Sequence, residues 1–210
     1  MTASEIVIGI DLDNTLVCYD DLFHLAVCAE RLIEPSVPKR KEAIRDAIRL
    51  LPDGEMQWTR LQAMVYGPRM AGATLFEGAD VFLRHCARSH TSVKIVSHKT
   101  PFATLDDQPV DLRQAARDWL KAKGFFTSFG LLLGDVFFES TRSEKLDRIR
   151  ALRCTHFIDD LAEVFAEPAF PPATRKLHFA PHGTVATNPE ARVFTHWREL
   201  DRLFFHGTRN

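Results

Sequence analysis

Short apolar segments alternate along this chain with longer segments in which apolar residues recur at helical spacing. Five apolar segments predict buried strands: Glu5–Ile10, Val93–Ser97, Leu131–Leu133, His156–Asp159 and Lys176–Phe179. Four segments of helical periodicity predict helices between and after them: Ala79–Arg88, Asp111–Lys123, Ser143–Leu152 and Trp197–Phe205. This alternation favours an α/β fold with a parallel sheet over an all-β fold.

A long segment separates the first two predicted strands and is itself helical in pattern. More than eighty residues lie between Ile10 and Val93, far more than a single strand-to-helix connection requires. Within it, Leu22–Ile33, Lys41–Leu51 and Met56–Tyr66 have helical periodicity and are divided by turn-forming residues. We therefore expect residues 18–75 to form a small helical insertion in the α/β core.

Composition and charge narrow the class of protein. The 210 residues are 45% hydrophobic and 26% charged, with a formal net charge of −1, so no strong field favours nucleic acid or an anionic membrane. No apolar segment approaches the roughly 18 residues that span a bilayer. The four cysteines form no CxxC pair, which predicts reduced thiols in a cytoplasmic protein.

Charged and polar side chains recur where the predicted strands end. The first strand leads into "GIDLDNTLV", with Asp11 and Asp13 two residues apart, and the others end in Ser97 and in the pair Asp159–Asp160. The Asp-Asn pair alone is also compatible with an ordinary turn or helix cap. Neighbouring parallel strands would bring these groups to one edge of the sheet, where such folds bind ligands.

These residues resemble the motifs of the haloacid dehalogenase (HAD) superfamily in order and spacing. A strand followed by DxDxT is matched by Asp11, Asp13 and Thr15. A strand ending in Ser or Thr, a helical Lys and a strand ending in an acidic pair are matched by Ser97, Lys145 and 159–160. The resemblance implies a Rossmann-like, three-layer parallel-sheet core formed by residues 1–17 and 76–210. The insertion at 18–75 would be a small helical cap.

The resemblance also implies chemical roles for the acidic residues. Asp11 would be the nucleophile, forming an aspartyl-phosphate and binding Mg²⁺. Asp13 would offer its backbone carbonyl to the metal, protonate the leaving oxygen and then activate water. Asp160 would bind Mg²⁺ directly and Asp159 through water.

Other predicted contacts concern the phosphate and the remainder of the substrate. Ser97 would hydrogen-bond a phosphoryl oxygen, and Lys145 would neutralise both the phosphate and Asp11. Thr15 would support the loop, and His98 and Lys99 are candidate substrate contacts. In the insertion, the polar residues that can contact a substrate are Arg60, Gln62, Tyr66 and Arg69. The pattern predicts a solvated loop at Leu105–Asp111 and a turn at Gly134–Asp135.

The resulting hypothesis is that the protein is a Mg²⁺-dependent phosphatase acting on a small phosphorylated metabolite. The sequence does not distinguish among sugar, polyol and nucleotide phosphates as the substrate. The alternatives are a phosphomutase of the same superfamily and a non-catalytic, HAD-like binding module. We expect a small-molecule phosphate ester as the partner, and neither nucleic acid nor a membrane. The oligomeric state is open.

Overall fold

The computed structural model describes residues 5–183 and 189–207. The chain forms two compact units. Unit 1 comprises Met1–Val17, Leu75–Lys99 and Gly124–Asn210, and unit 2 comprises Cys18–Thr74 and Thr100–Lys123. Among the described residues, no helix has both the length and the apolar character needed to cross a membrane.

Ten strands and eight α-helices make up the described chain. The strands are β1 (Val7–Ile10), β2 (Val17–Cys18), β3 (Thr74–Leu75), β4 (Ser92–His98), β5 (Phe102–Leu105), β6 (Gln108–Asp111), β7 (Val136–Glu139), β8 (His156–Asp159), β9 (Arg175–Phe179) and β10 (Arg192–Phe194). The helices are α1 (Asp20–Ala29), α2 (Lys41–Arg49), α3 (Gly54–Tyr66), α4 (Ala79–Arg88), α5 (Leu112–Ala122), α6 (Arg142–Ala151), α7 (Ala162–Ala166) and α8 (Trp197–Phe205). Two short 3-10 helices lie at Met70–Gly72 and Leu133–Asp135.

Unit 1 is built on a six-stranded parallel sheet in the order β10-β9-β8-β1-β4-β7. The three central strands are apolar, and their side chains Ile8, Ile10, Ile95 and Ile158 are fully buried, as expected for a parallel sheet covered by helices. The predicted α/β, Rossmann-like core is therefore confirmed. Because the strands are parallel, their carboxyl ends share one edge of the sheet.

Local sequence explains how the helices of unit 1 begin. At the start of α6, Thr141 Oγ1 accepts a hydrogen bond from the backbone N–H of Glu144, and the Glu144 carboxylate accepts one in return from the N–H of Thr141. This reciprocal capping fixes the first turn of α6, which carries Lys145. At the start of α8, Trp197 is fully buried.

One predicted strand is wrong. Leu131–Leu133 is not a strand, since only Leu131 is buried, whereas Leu132 and Leu133 are exposed before and within a 3-10 helix. The edge strand is instead β7, which pairs Val136 with Ile95. Three consecutive leucines gave an apolar signal, but a strand buried on the sheet needs inward-facing residues in register with β4.

Unit 2 contains more of the chain than the predicted insertion at 18–75. Its first segment ends at Thr74, and its second segment, Thr100–Lys123, had been assigned to the core. Within unit 2, the indole N–H of Trp119 on α5 donates a 3.0 Å hydrogen bond to the carbonyl of Ala73. Trp119 and Leu120 are buried there, so this segment depends on unit 2 for its packing.

The predicted solvated loop at Leu105–Asp111 is confirmed only for its exposed turn, because the residues on either side of the turn form strands. β5 and β6 form an antiparallel hairpin whose two-residue turn is Asp106–Asp107. Both residues have positive φ, 49° and 62°, as a type I′ turn requires. Asp tolerates this conformation better than most residues, so two acids that indicate a loop are equally compatible with a tight hairpin.

Candidate active site

The sheet order brings the predicted acidic and hydroxyl residues together in unit 1. β1 lies between β8 and β4. Asp11 follows β1 directly and its N–H donates a 2.9 Å hydrogen bond to the carbonyl of Ile158 on β8. Asp159 ends β8, and Ser97 is the next-to-last residue of β4. Three remote segments thus present their side chains at adjacent strand ends.

The loop after β1 is held in a compact turn. Asn14 adopts a left-handed conformation with φ of 59°, and the N–H groups of Leu16 and Val17 both donate to the carbonyl of Leu12. The indole N–H of buried Trp197 donates a 3.1 Å hydrogen bond to the carbonyl of Thr15. The DxDxT segment therefore has a fixed backbone, which places Asp11 and Asp13 together.

Lys145 joins two of the segments through its ammonium group. Its Nζ donates 2.6 Å hydrogen bonds to Asp11 Oδ1 and to Asp159 Oδ2, and only 2% of the Lys145 side chain is exposed. Nζ also lies 5.4 Å above the ring of Phe157, which adds a cation–π contact. A buried ammonium in this position offsets two carboxylates that would otherwise be costly to bury side by side.

A second lysine contacts the other acidic residue of the DxD segment. Lys99 Nζ donates a 2.6 Å hydrogen bond to Asp13 Oδ2, and Lys99 is almost completely buried. Lys99 had been predicted only as a candidate substrate contact. Its position two residues after Ser97, on the turn that leaves β4, brings it to the same edge of the sheet. Sequence reasoning did not anticipate this pairing.

The acidic pair at the end of β8 is fixed by neighbouring residues. Asp160 accepts a hydrogen bond from Thr15 Oγ1 at 3.3 Å, and its N–H donates to the same hydroxyl at 3.1 Å. His178 Nε2 donates a 3.0 Å hydrogen bond to the carbonyl of Asp160. Sequence reasoning missed His178. The available signal was a histidine within an apolar strand, in register with Asp159.

Burial and neighbouring charges shift the pKa values of the central pair. Burial raises the pKa of Asp11 to about 7, and the nearby carboxylates of Asp159 and Asp13 add to the rise, whereas Lys145 opposes it. Burial alone would lower the pKa of Lys145, but attraction to Asp11 and Asp159 outweighs it and the pKa lies above its ordinary value. Lys145 is therefore charged, and any further positive charge at the site would favour ionised Asp11.

The donor set fits a hard divalent cation. Carboxylate oxygens of Asp11, Asp159 and Asp160 all lie within 4.8 Å of one another. Together with Asp13, they give four carboxylates against the two ammonium groups of Lys99 and Lys145, which leaves two negative charges when all are ionised. Oxygen ligands of this kind suit Mg²⁺, which binds through carboxylates and keeps several waters.

The Ser97 hydroxyl lacks a hydrogen-bond partner within residues 5–183 and 189–207. The side chain is buried, with 1% exposed. Buried polar atoms are nearly always hydrogen-bonded, so an exception beside a charged cluster indicates a position that a ligand can complete. The hydroxyl can donate to an anionic oxygen bound near Asp11.

The remaining predicted residues have other contacts. His98 is exposed, and its Nε2 donates to the carbonyl of Ser140 at 3.0 Å. In unit 2, Arg60 forms ion pairs with Glu30 and Asp106. Tyr66 packs edge-on against Tyr19, and Gln62 is half-buried whereas Arg69 is exposed. The Arg60 guanidinium is thus engaged by two acids of its own unit.

Comparison with known proteins identifies the fold. No protein-family model matches the chain, and no curated protein is similar to it. Solved structures are similar over nearly the whole length of both chains. A HAD family hydrolase from Deinococcus radiodurans R1, with bound phosphate and sodium, has a TM-score of 0.57 at 17% identity and covers 97% of this chain and 96% of its own.

Two further structures extend the comparison. A predicted phosphoglycolate phosphatase from Haemophilus somnus 129pt has a TM-score of 0.58 at 13% identity, covering 97% of this chain and 99% of its own. A structure described as a dehalogenase has a TM-score of 0.55 at 14% identity, with 97% and 99% covered. Other similar structures are also HAD-superfamily hydrolases. The chain therefore has the fold of the HAD-superfamily hydrolases.

Proposed function

We propose that this protein is a Mg²⁺-dependent phosphatase that hydrolyses a small phosphorylated metabolite through a phosphoryl group carried on Asp11. The observation that carries the proposal is the buried hydroxyl of Ser97, which has no hydrogen-bond partner among the described residues and lies at the same sheet edge as the Asp11–Lys145–Asp159 cluster. A phosphate monoester needs a nucleophile, cations and hydrogen-bond donors around one phosphorus atom. This sheet edge offers all three.

Asp11 is suited to be the nucleophile. An Asp11 carboxylate oxygen would attack phosphorus, the bond from phosphorus to the ester oxygen would break, and Asp11 would hold the phosphoryl group. Attack by water on that group would then release phosphate and restore the carboxylate. Lys145 contacts Asp11 Oδ1 and would offset negative charge in both steps.

Asp13 is suited to move the protons. Its side chain would protonate the leaving oxygen in the first step and would accept a proton from the attacking water in the second. Lys99 holds one of its oxygens, which fixes the orientation of the carboxylate. The hydroxyl of Ser97 would donate to a transferring phosphoryl oxygen.

The same residues fit the cation that phosphoryl transfer requires. Asp11, Asp159 and Asp160, with the backbone carbonyl of Asp13, would hold Mg²⁺. The ion would supply positive charge that offsets the phosphoryl oxygens. A protein of the same fold binds both phosphate and a cation, namely sodium, which is consistent with this proposal.

Two features favour a phosphatase for small molecules. Displacement of a halide needs no group to protonate it, so an acidic Asp13 supports phosphate chemistry over dehalogenation. The first segment of unit 2 begins at Cys18, shortly after the DxDxT segment, and the chain re-enters unit 1 at Leu75. An insertion at this place in the chain resembles the caps of superfamily members that act on small substrates.

The test is release of inorganic phosphate from a panel of sugar, polyol and nucleotide phosphates with Mg²⁺. The comparison is with Asp11→Asn, and with Asp147→Asn as a control because Asp147 is exposed on α6. We expect Asp11→Asn to lose roughly 10³-fold or more of kcat, since the nucleophile is removed. The control should keep its activity.

The same panel separates the alternatives. Turnover that requires a bisphosphate and yields an isomer would indicate a phosphomutase. No phosphate release from any compound, with retained binding of metabolites, would indicate a non-catalytic module. Undiminished activity of a folded Asp11→Asn variant would reject the assigned nucleophile.

A further inference from the structure

A second cluster of metal-ligating side chains lies in unit 1, where α4 and α8 pack together. It consists of His85 on α4, Asp201 on α8 and His206, which follows α8 directly. His85 Nδ1 lies 2.7 Å from Asp201 Oδ1, and His206 Nε2 lies 3.3 Å from Asp201 Oδ2. None of these residues belongs to the acidic cluster at the sheet edge.

Asp201 is a buried carboxylate whose ion-pair partners, within the described chain, are two histidines. It is 8% exposed, and within the part of the chain that the structure describes no Lys or Arg forms an ion pair with it. Its two ion-pair partners in the described chain are the imidazoles of His85 and His206. A buried carboxylate is normally paired with a cation or bound to a metal, so this site favours an added positive charge.

The three side chains lie close enough together to share one ion. Zinc bonds of about 2.0–2.1 Å to nitrogen and oxygen place neighbouring ligand atoms about 3.3 Å apart. One ligand atom from each of the three residues falls within 4.8 Å of the others; His85 Nδ1 lies at hydrogen-bond distance from Asp201 Oδ1, 2.7 Å, and His206 Nε2 lies 3.3 Å from Asp201 Oδ2. Small side-chain movements would therefore bring all three into the first coordination shell, with water in the fourth position.

The surroundings hold the ligands in place and favour a cation. His85 lies in the last turn of α4, and His206 is the C-terminal cap of α8. The carbonyl groups at a helix C-terminus carry partial negative charge, so both helix ends attract a positive ion. The His85 ring packs edge-on against Phe205 at 5.6 Å, which limits its rotation.

We propose that His85, Asp201 and His206 form a binding site for a transition-metal ion of the zinc class, which ties the end of α8 to α4. Two neutral imidazoles and one carboxylate are ligands that zinc prefers over magnesium. The site differs in donor set from the all-carboxylate cluster at the sheet edge. Its ion would stabilise the contact between these two helices.

The experiment is a titration of the full chain with Zn²⁺ by calorimetry, in excess Mg²⁺ so that the sheet-edge carboxylates are occupied. It compares the wild type with His206→Gln, which is safe for folding because His206 is exposed. His90→Asn is the matched control, since His90 is exposed with φ of 55° and Asn tolerates that conformation. We expect one more zinc ion per chain in the wild type and the control than in His206→Gln.

Thermal unfolding gives an independent measurement. Zn²⁺ should raise the melting temperature of the wild type and of His90→Asn, and this rise should shrink in His206→Gln and in Asp201→Asn. Equal zinc stoichiometry and an equal thermal shift in wild type and His206→Gln would overturn the proposal. So would a wild type that binds no zinc beyond the sheet-edge site.

Discussion

At Lys145, one ammonium group contacts two carboxylates that come from different strands, and this contact gives the site its charge balance. Asp11 and Asp159 are both buried, and each would be costly to ionise alone. Lys145 offsets one negative charge of the pair, so the cluster remains anionic and can still attract a dication. Lys145 thus allows both acids to be buried and still leaves the net negative charge that attracts a metal ion.

The substitution Ser97→Ala is expected to lower activity without lowering stability. The buried Oγ of Ser97 has no partner among the described residues, so Ser97→Ala removes an unsatisfied polar atom. The free energy of unfolding should stay unchanged or rise by up to about 1 kcal/mol. If the hydroxyl contacts a phosphoryl oxygen, kcat/KM should fall by about 100-fold.

The control for that comparison is Ser92→Ala, at the opposite end of β4. Chemical denaturation and steady-state kinetics on both variants give the two quantities. A large loss of stability in Ser97→Ala would show that the hydroxyl serves the fold, and unchanged kinetics would remove it from phosphate binding.

At the scale of single residues, the sequence predicted which strand-end residues lie together but not every contact that they make. The carboxyl ends of parallel strands share one edge of the sheet, so Asp11, Ser97 and Asp159 were predicted to meet if their strands were neighbours, as the strand order shows them to be. The Lys99–Asp13 pair was not, because it depends on how the chain turns after β4. His178 donates a hydrogen bond to the Asp160 backbone, and its only sequence signal is a histidine within an apolar strand.

At the scale of elements, strongly periodic helices and central strands were predictable, and edge and hairpin strands were not. α4 and α8 have the predicted bounds, and β1, β4, β8 and β9 match to within two residues. Their apolar pattern follows from burial alone. The formation of β7 and of the β5–β6 hairpin depends on strand register and turn conformation. Packing decides both of these, and it can override the preference of the local composition.

Gly9 on β1 packs against Phe157, whose ring lies beneath Lys145 of the candidate active site. A Cβ at this position would lie 2.5 Å from Phe157 Cδ2 and 2.9 Å from Cys154 Sγ, closer than packed atoms can approach. Gly9→Ala should therefore lower the free energy of unfolding by about 1–3 kcal/mol. Because Lys145 Nζ rests over the Phe157 ring, a displaced ring should also lower activity.

Gly134→Ala is the matched control, since nothing lies within 4 Å of an added Cβ there. Urea denaturation of both variants, with phosphate release on the same samples, measures the two effects. If Gly9→Ala were as stable and as active as Gly134→Ala, the packing of β1 against β8 would be looser than described.

For the whole molecule, the position of the second unit was only partly predictable. The long interval between β1 and β4 indicated an inserted segment, because a strand connection needs fewer residues. The sequence did not indicate that Thr100–Lys123 also belongs to unit 2, because its helix α5 has the same amphipathic pattern as a helix of the core. The hydrogen bond from Trp119 to Ala73 is one contact that shows which surface α5 covers.

If magnesium binds the sheet-edge carboxylates, as proposed, it should stabilise the folded molecule, because these carboxylates are brought together only by folding. A ligand that binds the native state alone adds about 2.7 kcal/mol when its concentration is 100 times its dissociation constant. We therefore expect Mg²⁺ to raise the melting temperature of the wild type. Asp160→Asn should reduce this rise, whereas Asp107→Asn, on the exposed hairpin turn, should keep it. Scanning calorimetry with Mg²⁺ and with a chelator measures both, and an equal shift in Asp160→Asn would place the ion elsewhere.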